Sequence, residues 1–436
     1  MALSYAHGAI QWAQSDTATT VKTVSGLSFQ PVAIRFYTLG ISSATDATTS
    51  TQDLRACVGF AVGTADRRCV FAQDDDANGT MACVTGYRTD CVVASYDYAA
   101  TPAVDGLLDL NSITSDGFTC IVDDQLGTAT GSGSITVFWE AWGGSDITVA
   151  VIGEISEPAA TGNQDYTVSG FTSGATDQVV MFAGVQGTAS ANTATRNDSG
   201  FCIGYAAGTS AGENIVIVAN NDDGSATADT DSYALDGECL AMTTVAGGNP
   251  SARATLTNWG TDNFRLNWIA RATTNRKSIF LAIKGGRWNV GSFTIDSQTL
   301  NATATVSGLS YAPVGLSLIS KEDVEDSAGT AVAFYTMYLG CGSSTSSRRA
   351  MTVFCNNAST NSEVSQWVEY DQVLKGGATA YDINAMNSDG FQLINDDADA
   401  GEPTTSWIGY LTFGSAPAGK AHPFRGPRLR FQRRSF

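Results

Sequence analysis

Val24-Ser25-Gly26-Leu27-Ser28-Phe29 sets the reading of this chain, because the motif returns as Val168-Ser169-Gly170-Phe171 and again as Val306-Ser307-Gly308-Leu309-Ser310-Tyr311. Internal repetition at domain spacing decides an architecture before any single element does. In the first and third copies a proline and an apolar strand come next, Pro31-Val32-Ala33-Ile34 and Pro313-Val314-Gly315-Leu316. The second copy continues with Gln178-Val179-Val180-Met181-Phe182. A second marker reads Val58-Gly59-Phe60, Ile203-Gly204-Tyr205 and Leu339-Gly340-Cys341. A third reads Ser115-Asp116-Gly117-Phe118, Thr261-Asp262-Asn263-Phe264 and Ser388-Asp389-Gly390-Phe391, a turn pair that tolerates positive φ followed by an aromatic that opens a strand. Each copy closes on an apolar strand, 135–142, 278–283 and 406–413, that runs into glycine.

Three markers in one order define three copies. The expected boundaries are residues 1–150, 151–290 and 291–415, with 416–436 left as an arm. Within a copy, segments such as 32–39, 54–62, 215–219, 264–269 and 332–339 are β-branched or aromatic, and most are bounded by Gly, Asp, Asn or Ser. No stretch carries a 3.6-residue apolar period with caps. The expectation is an all-β chain: three tandem antiparallel β-sandwich, jelly-roll-like domains of about eight strands each, and an extended C-terminal arm. The links between copies are short, so the copies are expected to pack together. Composition agrees, with 43% hydrophobic residues, 45 glycines and few lysines or glutamates.

Charge is uneven. The net charge is −19, yet residues 416–436 hold Lys420, Arg425, Arg428, Arg430, Arg433 and Arg434 and no acid. Without these six, 18 cations face 43 acids, so the body stands at −25. Such a body repels nucleic-acid phosphates. The first residues lack the pattern of a signal peptide, and no apolar run is long enough to span a bilayer. Nine cysteines include no Cys-x-x-Cys pair, so buried free thiols in a protein made in a reducing cytoplasm are expected.

The search for chemistry returns little. The two histidines, His7 and His422, lie near opposite ends, so a Ser-His-Asp or Cys-His constellation is not expected. Phosphate-loop and zinc-protease motifs do not occur. The acidic runs at 74–76, 123–124, 220–223 and 395–397 suit calcium in principle and solvated turns in the plainer reading, which is preferred; no metal or cofactor is expected. Trp139, Trp142, Trp268 and Trp407 fall in strands and read as core, whereas Trp12, Trp259, Trp288 and Trp367 are surface candidates. The paired arginines 67/68 and 348/349 read as solvated turns, or as forks for a partner's carboxylate. The arm adds Phe424, Leu429, Phe431 and Phe436 to its cations. The candidate interaction residues are therefore Lys420, Phe424, Arg425, Arg428, Arg430, Phe431, Arg433, Arg434 and Phe436. Arginines would meet acidic groups and phenylalanines apolar pockets on a neighbour, which can be another copy of this chain.

The entry Ser25-Gly26-Leu27-Ser28-Phe29-Gln30-Pro31, the turn-strand Ser115-Asp116-Gly117-Phe118-Thr119 and the closing strand 135–144 with its Gly-Gly resemble the β-sandwich repeats of tailed-bacteriophage virion proteins. The resemblance spans residues 20–415. It implies a non-enzymatic virion component, a capsid decoration or tail protein, made in the host cytoplasm. Its partners would be other virion structural proteins in a homo-oligomer, with no membrane and no sequence-specific nucleic acid, and the resemblance carries over no catalytic residues. Two other readings are a host-glycan-binding module on the virion surface and a carbohydrate-active enzyme, which would need two carboxylates in a cleft.

Overall fold

The computed structural model describes residues 2–49, 53–75, 82–127, 134–187, 190–208, 213–225, 229–243, 250–272, 276–321, 334–356, 364–376, 379–398 and 404–415. The chain is all-β, with six antiparallel sheets and no α-helix among the described residues. The segments expected at 32–39, 54–62, 215–219 and 264–269 form the strands Pro31–Thr38, Leu54–Gly63, Asn214–Asn221 and Asn263–Ala270.

Large and small sheets alternate along the chain. The first large sheet has the order Ser4–Ala13, Ser134–Gly143, Pro31–Thr38, Leu54–Gly63, Asp66–Asp74, Cys83–Arg88. The second runs Val149–Ser156, Lys277–Lys284, Gln178–Val185, Phe201–Ala207, Asn214–Asn221, Thr230–Asp236. The third runs Arg287–Asp296, Thr405–Gly414, Gly315–Ser320, Phe334–Ser344, Ser347–Asn356, Val364–Glu369. The connectivity is the same each time: the first strand of a set pairs with the last, and the middle four form a meander beside them. Each large sheet faces a four-stranded sheet, such as Val21–Val24, Gly117–Asp124, Val104–Thr114, Val93–Tyr96. Among the described residues each set thus places ten strands in its own pair of sheets, where the sequence suggested about eight. The surplus includes pieces as short as Leu374–Lys375, which no periodicity can reveal.

One apolar core lies between each large sheet and its small partner. The aromatic of the third marker fills it every time. Phe118, Phe264 and Phe391 are fully buried, and their rings meet Phe36, Phe182 and Tyr410 on the facing large sheets at 5.7, 5.9 and 5.3 Å. The other faces of the three large sheets turn toward one another and share a further core. There Tyr5, Trp142 and Trp288 surround Phe413 at 4.6, 5.7 and 5.5 Å. Covering both faces explains why Gln178–Val185 and Asn214–Asn221 are buried at every residue, rather than alternating as a two-layer sandwich would have them.

Sheet edges are covered by exchange. The connection after Pro31–Thr38 leaves its own sheet, and Ala47–Thr49 pairs antiparallel with Gln366–Val368 at the edge of the third large sheet. The matching connection after Gln178–Val185 places Thr193–Arg196 against Val84–Tyr87 at the edge of the first. Edge strands with free amides template unwanted pairing, and an added strand removes that hazard. The corresponding connection in the third set, 322–333, falls outside the described residues.

The marker glycines have two separate causes. Gly26, Gly170 and Gly308 adopt φ of +79°, +91° and +82°, which only glycine enters freely. Gly59, Gly204 and Gly340 sit where the large sheet touches the start of its small partner. A Cβ there would lie 1.9, 2.0 and 1.7 Å from the carbonyl oxygens of Val92, Cys239 and Val373. The two classes predict different penalties. Gly26→Ala, whose Cβ would meet open space, should cost about 1–2 kcal/mol through backbone conformation alone. Gly204→Ala must push two sheets apart and should cost about 3 kcal/mol. Urea denaturation of both variants measures this; equal penalties would contradict the close-approach explanation.

Candidate functional site

The polar chemistry of the molecule gathers where the three sheet pairs meet. Arg35 lies between Phe60 and Glu140 in the first large sheet. The residue so placed in the second is Met181, between Tyr205 and Leu281, and in the third Ser317, between Cys341 and Leu411. These positions converge in the shared core, so three related sets of strands bring different residues to one place. Arg35 and Glu140 form an ion pair there, 4% and 0% exposed. The guanidinium also donates to the Tyr205 hydroxyl, and Glu140 accepts from the Ser317 hydroxyl and, at 2.8 Å, from Tyr5. Arg35 stands 5.1 and 5.4 Å over the rings of Tyr37 and Tyr205. Tyr37 donates to the Cys341 sulfur at 3.3 Å. Burial pushes the Tyr205 phenol and the Cys341 thiol up to about 12, so both keep their protons. Contributions from all three sheet pairs therefore surround one buried ion pair, with Arg35 Nε left without a hydrogen bond among the described residues.

A second buried carboxylate joins two sheet pairs. Asp74, at the end of Asp66–Asp74, is fully buried and accepts from Ser199 Oγ at 3.0 Å and Asn221 Nδ2 at 3.2 Å. No cation pairs with it among the described residues. Arg196, the nearby guanidinium on the exchanged strand, binds Asp223 at 2.5 Å instead. Burial raises the Asp74 carboxyl to about 6, against the opposing pull of its hydrogen bonds. At the other exchange, Asp46, Glu369 and Asp371 bring their carboxylate oxygens within 4.8 Å of one another. Burial, with Asp46 beside it, lifts Glu369 to about 7.

Several sequence expectations change. Trp12, Trp259 and Trp288, taken as surface candidates, are 0%, 0% and 6% exposed, because the shared core and the tight sandwich interiors bury faces that strand pattern alone leaves open. Only Trp367 is half-buried. The strand tryptophans Trp139, Trp142, Trp268 and Trp407 are core. Among the paired arginines, Arg67 and Arg348 are engaged within the chain rather than solvated in turns. Arg67 grips Asp109 at 2.6 and 2.8 Å and Arg348 pairs with Asp382, each tying a large sheet to its small one, while Arg349 lies 5.1 Å over Tyr370. The acidic runs divide. Asp123, Asp124, Asp396 and Asp397 are the exposed last residues of their strands, but Asp74, Asn221 and Asn395 are buried, and Asn395 Nδ2 donates to three carbonyls between 296 and 299. All nine cysteines are buried and unbridged. Lys420, Phe424, Arg425, Arg428, Arg430, Phe431, Arg433, Arg434 and Phe436 fall outside the described residues.

Sequence reasoning passed over Arg35 and Glu140, and took Asp74 for part of a solvated turn. A signal was present: Arg35 and Glu140 each interrupt a strand that is otherwise apolar and aromatic. Comparisons with protein-family models and with curated proteins find no match to the chain.

Two measurements test these clusters. Glu140→Leu alone strands a buried guanidinium and should cost about 3–5 kcal/mol. Arg35→Met with Glu140→Leu installs the Met181–Leu281 pairing of the second sheet and should lie within about 2 kcal/mol of the parent. A double variant as damaged as the single would refute the ion-pair account. For Asp74 the folded carboxyl binds its proton more tightly than the unfolded one. That contribution is complete below pH 4 and is lost as pH rises through about 6. Thermal melts should weaken between pH 4 and 7, by up to about 3 kcal/mol from this group, and Asp74→Asn should flatten the trend. An unchanged slope in the variant would exclude Asp74 as its source.

Proposed function

We propose that this chain is a non-enzymatic structural component of a bacteriophage virion, a capsid decoration or tail protein. In this reading it is three tandem copies of one β-sandwich, jelly-roll-like in the nesting of its outermost strand pairs, with the basic segment 416–436 anchoring it to neighbours. The observation that carries the reading is the shared core. Three sets of strands with one connectivity bury their large sheets against each other and exchange edge strands. The resulting cohesion absorbs Arg35, Glu140, Asp74, Arg67 and Arg348, which serve contacts between sheets. Three related copies in one chain also suit a threefold position in a shell, where a trimer would otherwise sit.

The glycan-binding reading is weaker, because three of the four tryptophans on which a sugar platform would rest are buried. The anchoring role is tested by deleting residues 416–436. Melting of the body should be unchanged, while incorporation into particles of the virus that encodes the chain should be lost. Normal incorporation of the truncated chain would defeat the proposal.

A further inference from the structure

The three sheet pairs succeed one another so that the hairpin in the middle of one large sheet lies against the opening strand of the next. In the first and third sets that hairpin is tight: Gly63 pairs with Asp66, and Ser344 with Ser347. In the second, the last pairing described between these strands is Ala206 with Asn214, so more residues separate them. Glu213 lies over the start of the third set, where a pocket of about 410 Å³ opens. Glu213 and Gly208 form one side; Arg287, Trp288, Leu309 and Tyr311 belong to the other. The volume suits one or two large side chains. Burial raises the Glu213 carboxyl, and neither the Glu213 nor the Arg287 side chain has a hydrogen bond or ion pair among the described residues.

The last strand ends beside this pocket. Gly414 is the cross-strand partner of Arg287, the Tyr311 ring packs on Gly414, and Ser415 Oγ accepts the Leu3 amide at 3.0 Å. From Ser415 the chain continues into the segment with six cations and three phenylalanines, including the neighbouring pairs Phe424-Arg425 and Arg430-Phe431. A tether of about ten residues holds such a pair near the pocket at roughly millimolar effective concentration.

We propose that the pocket between Glu213 and Arg287 is the seat of this chain's own C-terminal arm, taking one of its arginine–phenylalanine pairs. The arm's guanidinium meets the Glu213 carboxylate, and its ring lies along Leu309 and Tyr311 with the Arg287 guanidinium over its face. The seat gives the anchor a resting position before it engages a neighbour. In that purpose it rests on the anchoring reading above; in its geometry it does not.

Limited trypsin digestion of the full chain at low micromolar concentration tests the seat, since the arm supplies its own cleavage sites. Glu213→Arg should be cut in the arm roughly tenfold faster than the parent. Asp124→Arg, the same charge change at the exposed end of a strand, should match the parent. Equal rates in all three overturn the proposal. Protection that rises with protein concentration also overturns it, by assigning the pocket to the arm of a second copy. Should Glu213→Arg lower the melting temperature, Glu213→Gln decides: it keeps the shape and should still speed cleavage, and parent-like cleavage would overturn the seat. The digestion uses no virus, so its failure leaves the anchoring reading to the incorporation assay.

Discussion

Each large sheet is apolar on both faces, and that constraint shapes the rest of the molecule. One face is covered by a four-stranded sheet of the same set. The other, carrying residues such as Met181, Ile203, Ile217 and Leu281, has no cover within its own set and finds it against the other two large sheets. At about 25 cal/mol per Å² of apolar surface removed from water, burying such a face outweighs any single polar contact in the structure. It also explains the exchanged strands, because sheets held this close can lend connections to one another's edges without long excursions.

The polar centre of that shared core is costly and selective. An ion pair taken out of water recovers its desolvation penalty only when every remaining donor and acceptor is met. Arg35 and Glu140 meet most of theirs with Tyr5 from their own sheet, Tyr205 from the second and Ser317 from the third, while Arg35 Nε has no hydrogen-bond partner among the described residues. A chain that seated either later sheet pair wrongly would leave the buried pair short of a partner. The equivalent Met181–Leu281 pairing shows that an apolar solution fits the same backbone. The charged pair thus adds discrimination between arrangements more than cohesion.

Strands and turns were legible in the sequence because their causes are local. Gly26, Gly170 and Gly308 mark a backbone conformation, and Phe118, Phe264 and Phe391 mark an inward ring beside a turn. The third layer was not legible. A strand buried on both faces reads only as a run of apolar residues, and nothing in Ile215–Ala219 says what covers its second face. Trp12 and Trp259 lie inside their own sandwiches, whereas the misplacement of Trp288 stems from that gap. So does the missed polar centre: Arg35, Tyr205 and Ser317 are far apart in sequence, and only the register of three separate sheets brings them together.

The exchanged strand at Ala47–Thr49 sets a condition on biosynthesis. Its hydrogen-bonding partner, Gln366–Val368, is translated more than three hundred residues later, and Leu3 waits for Ser415. The first set of strands therefore leaves the ribosome without its final contacts, and a domain-by-domain order of folding cannot finish the molecule. A ribosome that stops early releases a chain with uncovered sheet faces, a substrate for chaperones or proteases, whereas completing the last strand closes the whole body at once.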